Sequence, residues 1–149
     1  MSMADRQAHT VWEGSLFEGK GELEFASSGL GRFPVTWASR VESPDGRTSP
    51  EELLAAAHAA CYSMALSNTL AQAGNAPERL HVVATVSLDP KQGGGVEVTR
   101  SALEVTGAVA GLDQAGFQAA AEKAEQGCPI SNAIRGNVAV TVSATLKAD

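Results

Sequence analysis

Between Pro50 and Gly74 the chain contains no glycine and no further proline, and it is rich in alanine throughout. The entry to this stretch, "TSPEELL", supplies Ser49 as an N-cap, Pro50 at the first helical position and Glu52 to complete an S-x-x-E box. Gly74 can take the left-handed position that ends a helix. The spacing predicts one helix over residues 50–73, roughly 36 Å long at 1.5 Å of rise per residue. In a chain of 149 residues a rod of that length is central, and the other elements must cover it. Ala55, Ala56, Ala57, Ala59 and Ala60 remove bulk on several sides, so neighbouring backbone can approach closely.

The flanking segments read as strands. "HTVWEGSLFEGKGELEF" has short alternating runs broken at Gly14 and at Gly19-Lys20-Gly21, the pattern of a meander. "RFPVTWASR" is expected to be a third strand with Phe33, Val35 and Trp37 on one face. Thr36, Ala38 and Arg40 then lie on the other, with Arg40 at the strand end. After the helix, "HVVATVSLD", "GVEVTRSALEVTG" and "NVAVTVSATL" alternate with period two, and the last places Val138, Val140, Val142, Ala144 and Leu146 on one face. "PKQGGG" joins the first two of these as a hairpin loop. "DQAGFQAAAEKAEQG" is a second helix, capped by Asp113 and ended by Gly127. "CPISNAI" follows with Cys128 at an N-cap and Pro129 at the first helical position. The expected architecture is a single α+β domain over residues 1–149, with antiparallel pairing around a long central helix.

Composition excludes several classes. Hydrophobic residues at 44% and charged residues at 19% are the balance of an ordinary globular protein. His58, Ser63 and Ser67 interrupt the longest apolar run, so no segment has the roughly 18 apolar residues of a membrane span. The opening "MSMADRQAHTVWEG" lacks the apolar region of a secretory signal, and the expected location is the cytoplasm. A net charge of −6 with eleven scattered basic residues leaves no basic stripe for a phosphate backbone, so no nucleic-acid partner is expected.

Cys61 and Cys128 form neither a C-x-x-C pair nor a zinc ribbon. Cys61 sits mid-helix among apolar neighbours, where a buried structural thiol and a reactive one are both admissible. Cys128 opens a helix, where free amides and the helix dipole favour a thiolate. His58, three residues before Cys61, lies on the same side of the helix. It is either a hydrogen-bonded core histidine or the partner of a Cys-His pair. A zinc set of His58, Cys61, His81 and Cys128 can be written, but only the first two share a helical spacing. Locally, Glu51 and Glu52 are first-turn acids and Arg40 is a solvated strand end.

"SPEELLAAAHAACYSMAL", followed 67 positions after Cys61 by "GCPIS" and preceded by "AHTVWEGSLFEGKG", closely resembles the OsmC/Ohr family of peroxidases. The likeness runs from about residue 9 to residue 146, and the "AAAHAACYSMAL" form is similar to the osmotically inducible OsmC branch. The resemblance implies thiol-dependent reduction of organic hydroperoxides in oxidative and osmotic stress defence, by an intertwined homodimer without metal or bound cofactor. Matched by position, it implies that Cys61 is the peroxidatic thiol, Cys128 the resolving thiol, Glu51 the carboxylate and Arg40 the cation near the thiolate. Arg32 and Arg47 lie close to Arg40 in sequence.

That chemistry accounts for the constellation. A free thiol titrates near about 8.5 and burial raises it, so a mid-helix thiolate needs a fixed cation such as Arg40. The thiolate attacks a peroxide oxygen, an alcohol leaves, and the Cys61 sulfenic acid condenses with Cys128 to a disulfide. An external dithiol then resets the pair; the resemblance implies dithiols, lipoyl groups among them. Leu54, Ala57, Tyr62 and Ala65 surround Cys61 in sequence and offer an apolar setting for an alkyl group. Two other classes share these features: a small-molecule-binding protein using the same cavity, and a redox sensor signalling through the Cys61–Cys128 disulfide. Glu51 and Cys61 are ten residues apart on one helix, about 15 Å along its axis and some 80° around it. The carboxylate serving Cys61 is therefore expected from a second subunit.

Overall fold

The computed structural model describes residues 1–147, which divide into two compact units, 1–53 and 54 onward. The first opens with strands β1 (His9–Glu13), β2 (Lys20–Glu24) and β3 (Arg32–Val35), paired antiparallel in that order. The expected break at Gly19-Lys20-Gly21 is narrower than its glycines imply, because Lys20 and Gly21 already belong to β2. Gly21 sits between Trp12 and Val35, and a Cβ there would lie 2.8 Å from the Trp12 ring and 2.9 Å from Val35. A strand glycine of this kind marks the close approach of a neighbour rather than a turn.

The third strand is shorter than its alternation suggests. It stops at Val35, and Trp37–Val41 forms a short helix, α1, so Arg40 is helical and not a strand end. Thr36 and Ser39 are the cause. The Ser39 amide donates to the Thr36 hydroxyl at 3.0 Å, and the Thr36 amide donates to Ser39 Oγ at 3.0 Å. This reciprocal box satisfies two amides that a strand would have left to a ladder.

Helix α2 (Pro50–Gln72) begins and ends within a residue of expectation. The Glu52 amide donates to Ser49 Oγ at 3.1 Å, and Gly74 takes φ +87° just beyond the last turn. In the second unit α2 is followed by β4 (Arg79–Pro90), β5 (Val96–Ala108), α3 (Gln114–Gly127), α4 (Pro129–Ile134) and β6 (Ala139–Leu146). The α+β class holds. β4 and β5 form the expected antiparallel hairpin, but β6 pairs with β5 in parallel. The connection through α3 and α4 returns the chain to the end where β5 began, which a parallel pair requires and a hairpin cannot supply.

Buried positions along α2 recur every four residues at His58, Tyr62, Leu66 and Leu70. The three apolar members pack with Leu103 and Val105 of β5 and with Phe117 and Ala121 of α3. The inward face predicted for β6 appears in its alternation, with Val140, Val142, Ala144 and Leu146 turned toward this cluster, while Val138, expected to open that face, precedes the strand. α3 also closes the open edge of β6. The Ala144 and Leu146 amides donate to the side-chain oxygens of Gln118 and Gln114 at 3.0 and 2.8 Å, and Gln114 Nε2 donates to the Ala144 carbonyl at 2.8 Å. Edge groups that would otherwise invite another strand are thereby occupied. Among the described residues no helix is long and apolar enough to cross a membrane.

Candidate active site

The core of the second unit brings the two cysteines together. Cys61, from the middle of α2, is half-buried, while Cys128 at the start of α4 is fully enclosed, and both are free thiols. Cys61 and Ile130 pack against the core cluster that contains Cys128, near enough for Cys128 and the Ile130 backbone both to act on the Cys61 thiol. The local reason is the Gly127-Cys128-Pro129 sequence. α3 ends at Gly127, Cys128 lies in extended backbone at φ −73° and ψ 117°, and Pro129 starts α4 at once. This sharp junction sets α4 against α2, where Ser131 meets His58.

Burial pushes the Cys61 thiol up from its ordinary range; the Ile130 amide pulls it down, and the neighbouring Cys128 pushes it up again. Left to these groups the thiol is protonated at neutral pH. Arg135 on the α4 side does not offset this, because its Nη2 is committed to the buried carboxylate of Glu125 at 2.7 Å and to Asn132 at 3.2 Å.

His58 is a core histidine with both ring nitrogens occupied. Nδ1 lies 2.6 Å from Ser101 Oγ on β5, and Nε2 lies 2.7 Å from Ser131 Oγ on α4. All three residues are fully enclosed. Burial lowers the pKa of His58 from its ordinary value, with Glu125 working weakly the other way. The zinc set written from sequence does not assemble: no group of three or more potential ligands occurs among the described residues, and His81 is exposed on β4. Tyr62 belongs to the core rather than to a substrate surface, since its hydroxyl donates to the Ala121 carbonyl at 2.9 Å.

In the first unit Arg40 and Glu51 come together. Arg40 Nε lies 3.0 and 3.1 Å from the two Glu51 oxygens and Nη2 lies 2.8 Å from Oε1. A fork of this kind fixes the guanidinium plane as well as its position. Three contacts deliver the pair. The Thr48 amide donates to the Pro34 carbonyl at 3.1 Å, and Ser39 Oγ donates to the Thr48 carbonyl at 3.0 Å, which ties α1 to the start of α2. The Arg40 guanidinium also sits 5.8 Å from the Trp37 ring centre. The competing arginines go elsewhere: Arg32 meets Glu22 and Glu24, and Arg47 meets Asp45, all exposed. Glu52 binds the Thr48 hydroxyl at 2.7 Å.

Sequence reasoning passed over Ser101, Ser131, Glu125 and Arg135. Ser101 carried a signal, because it falls on the inward phase of β5 with Leu103 and Val105, where a polar residue needs a buried partner. Glu125 carried one too, since it follows Phe117 and Ala121 at four-residue steps on the buried face of α3; Ser131 and Arg135 lie in and just after a six-residue helix too short to show a phase.

Comparison with known proteins agrees with the motif blocks. The family model for OsmC-like proteins matches residues 43–143. Over 132 residues the chain is 42% identical to the peroxiredoxin OsmC of Escherichia coli (strain K12), covering 89% of this chain and 90% of that one. It is 39% identical over 101 residues to an organic hydroperoxide resistance protein of Xanthomonas axonopodis pv. citri (strain 306), covering 64% and 66%. The crystal structure of an organic hydroperoxide resistance protein OsmC from Legionella pneumophila matches with a TM-score of 0.78 at 29% identity, over 97% of this chain and 99% of that one. Both the helix start at Ser49 and the Cys128 block fall inside the matched span, and the chain belongs to the family of OsmC-like proteins.

Proposed function

We propose that this protein is a peroxidase that detoxifies organic hydroperoxides with its thiol pair. The observation that carries the reading is the unequal burial of two neighbouring thiols in one core: Cys61 is half-buried and can be reached, and Cys128 is fully enclosed. Cys61 is the thiol that meets the peroxide. Its thiolate attacks one peroxide oxygen, the O–O bond breaks, and the departing alkoxide takes a proton to leave as an alcohol. Cys61 is left as a sulfenic acid. Cys128 then attacks that sulfur, water leaves, and a Cys61–Cys128 disulfide forms. A dithiol reductant restores both thiols by exchange.

Because burial holds the Cys61 thiol up, the thiolate needs a cation, and Arg40 is the one assigned here. With Nε and Nη2 held by Glu51, Nη1 is the end assigned to the peroxide oxygens, where negative charge grows as the O–O bond breaks. Glu51 and Cys61 stand about 15 Å apart along α2, so we assign the Arg40–Glu51 pair serving each Cys61 to the other subunit of a two-fold homodimer. The proposed location is the cytoplasm, where a dithiol pool is maintained.

Steady-state assays with cumene hydroperoxide, hydrogen peroxide and dithiothreitol test the reading. Many equivalents of peroxide consumed per chain are expected. Consumption that halts near one equivalent would make the pair a sensor, and none at all would make the site a binding cavity.

A further inference from the structure

His58 is a fully enclosed polar side chain that the chemistry above does not use. It lies one helical turn before Cys61, and its Nε2 partner Ser131 lies one turn after Cys128. Its Nδ1 partner, Ser101, is on the central strand of the sheet. The three residues therefore join α2, α4 and β5 at the level of the thiol pair. α4 is short, with six residues, and Cys128 makes no side-chain cap to steady it. Glu125 and Arg135 secure its far end; at its near end Cys128 and Ile130 share the core cluster against which Cys61 packs, and both act on the Cys61 thiol.

We propose that His58 is a positioning residue for the thiol pair: through Ser131 it holds the turn bearing Cys128 and the Ile130 amide against Cys61, with Ser101 as its anchor on the sheet. The chemistry of imidazole suits the task. Kept neutral by burial, it donates from one nitrogen and accepts at the other, so one serine accepts its proton and the other donates to it. Removing either hydroxyl leaves a buried ring nitrogen without a partner, which favours movement of the element that carried the hydroxyl. Losing Ser131 releases the thiol junction, whereas losing Ser101 frees only the sheet side. The inference rests on reading Cys61 and Cys128 as a redox pair, though not on what oxidises them.

The test compares the full-length wild type with Ser131→Ala, Ser101→Ala, His58→Asn and His58→Gln. Each is equilibrated with reduced and oxidised glutathione, in which one glutathione disulfide oxidises the two thiols and yields two glutathione thiols. The pH dependence of Cys61 alkylation by iodoacetamide is read in the same set carrying Cys128→Ser. Thermal melting is recorded for all. In Ser131→Ala the equilibrium constant for the disulfide is expected to fall by about tenfold, the size of one lost buried hydrogen bond. The alkylation midpoint should move to higher pH as the Ile130 amide withdraws. Ser101→Ala should shift both less. His58→Gln, whose amide reaches the Nε2 position, should recover most of what His58→Asn loses. An equilibrium constant within twofold of wild type in Ser131→Ala, with only the melting temperature lowered, would overturn the proposal and leave His58 a core residue. If His58→Asn does not fold, Ser131→Ala decides, since it removes a single oxygen. None of these readouts uses peroxide, so a wild type that reduces no hydroperoxide would fail the function proposed above without touching this one.

Discussion

Among the described residues of the first unit, Leu23 is the buried large apolar side chain, whereas the second unit encloses Tyr62, Leu66, Leu70, Leu103, Val105 and Phe117. Val11, Leu16, Phe17 and Leu30 of the first unit are exposed instead. Burial of apolar surface is the main source of folding stability, so the second unit can hold its thiols rigidly by packing. The first unit positions Arg40 and Glu51 by polar means: a capping box, backbone ties to Thr48 and a charged fork. Under the homodimer reading, the exposed side chains of the first unit are the surface a second copy would cover. The contrast implies that changes in the second unit act on stability or on sulfur chemistry, and that changes in the first act on activity with little loss of fold.

The largest expected effect is at the thiols. Cys61→Ser should abolish turnover, while Cys128→Ser should complete one attack and accumulate a Cys61 sulfenic acid, read by mass spectrometry after one equivalent of peroxide. Turnover retained in Cys61→Ser with Cys128 oxidised would reverse the two roles.

Next comes the polar pair. Glu51→Ala frees Arg40, and kcat/KM should drop by about a hundredfold or more, as when one charge-stabilising group is lost. Melting should hardly change. Co-expressing Glu51→Ala with Cys61→Ser should restore roughly a quarter of wild-type activity if chains pair at random in a two-fold dimer. No recovery with mixed dimers present would place Glu51 with its own chain's Cys61 or outside the site.

Leu66→Ala should destabilise the protein by about 2–5 kcal/mol, the usual cost of emptying a packed position. Leu30→Ala, at an exposed site, should change subunit stability by less than about 0.5 kcal/mol. Chemical denaturation at several protein concentrations separates the two, and equal losses would dissolve the contrast between the units. Substrate choice is a smaller effect. Leu54 and Ala65 are half-buried and Ala57 is exposed beside Cys61, so cumene hydroperoxide should exceed hydrogen peroxide in kcat/KM by about tenfold or more through apolar burial. Equal values would remove the alkyl contact.

The smallest effect is on pH. His58 has a lowered pKa when folded, so below its ordinary value of 6.5 the unfolded chain takes up a proton that the native chain refuses. Its contribution is complete above that pH and declines as the pH falls, by at most about 1.4 kcal/mol per pH unit. His58→Gln should flatten this part of the stability profile in urea titrations. A slope unchanged by the substitution would assign it to other groups.

Local signals carried much of this molecule. The ends of α2 were legible because Ser49, Pro50 and Gly74 act within one turn of themselves, and alternation located β4, β5 and β6 to within about two residues. The family was legible because two motif blocks keep their residue order. Arg40 was placed on a strand because alternation over four residues cannot be told from a short helix without knowing that Thr36 and Ser39 bond each other. The same limit hid the partners of His58: its core setting was one of two readings, but Ser101 and Ser131 are 43 and 73 residues away.

Capping, periodicity and turn chemistry are interactions between near neighbours, so the amino-acid order is enough to state them. The parallel seat of β6, the glutamines that close its edge, the pairing of Glu51 with Arg40 rather than with Arg32 or Arg47, and the enclosure of Cys128 depend on which distant groups meet. Those meetings follow from packing α2, α3 and the sheet into one dense core and from tying α1 to Thr48, where each contact exists only because the others hold the backbone in place.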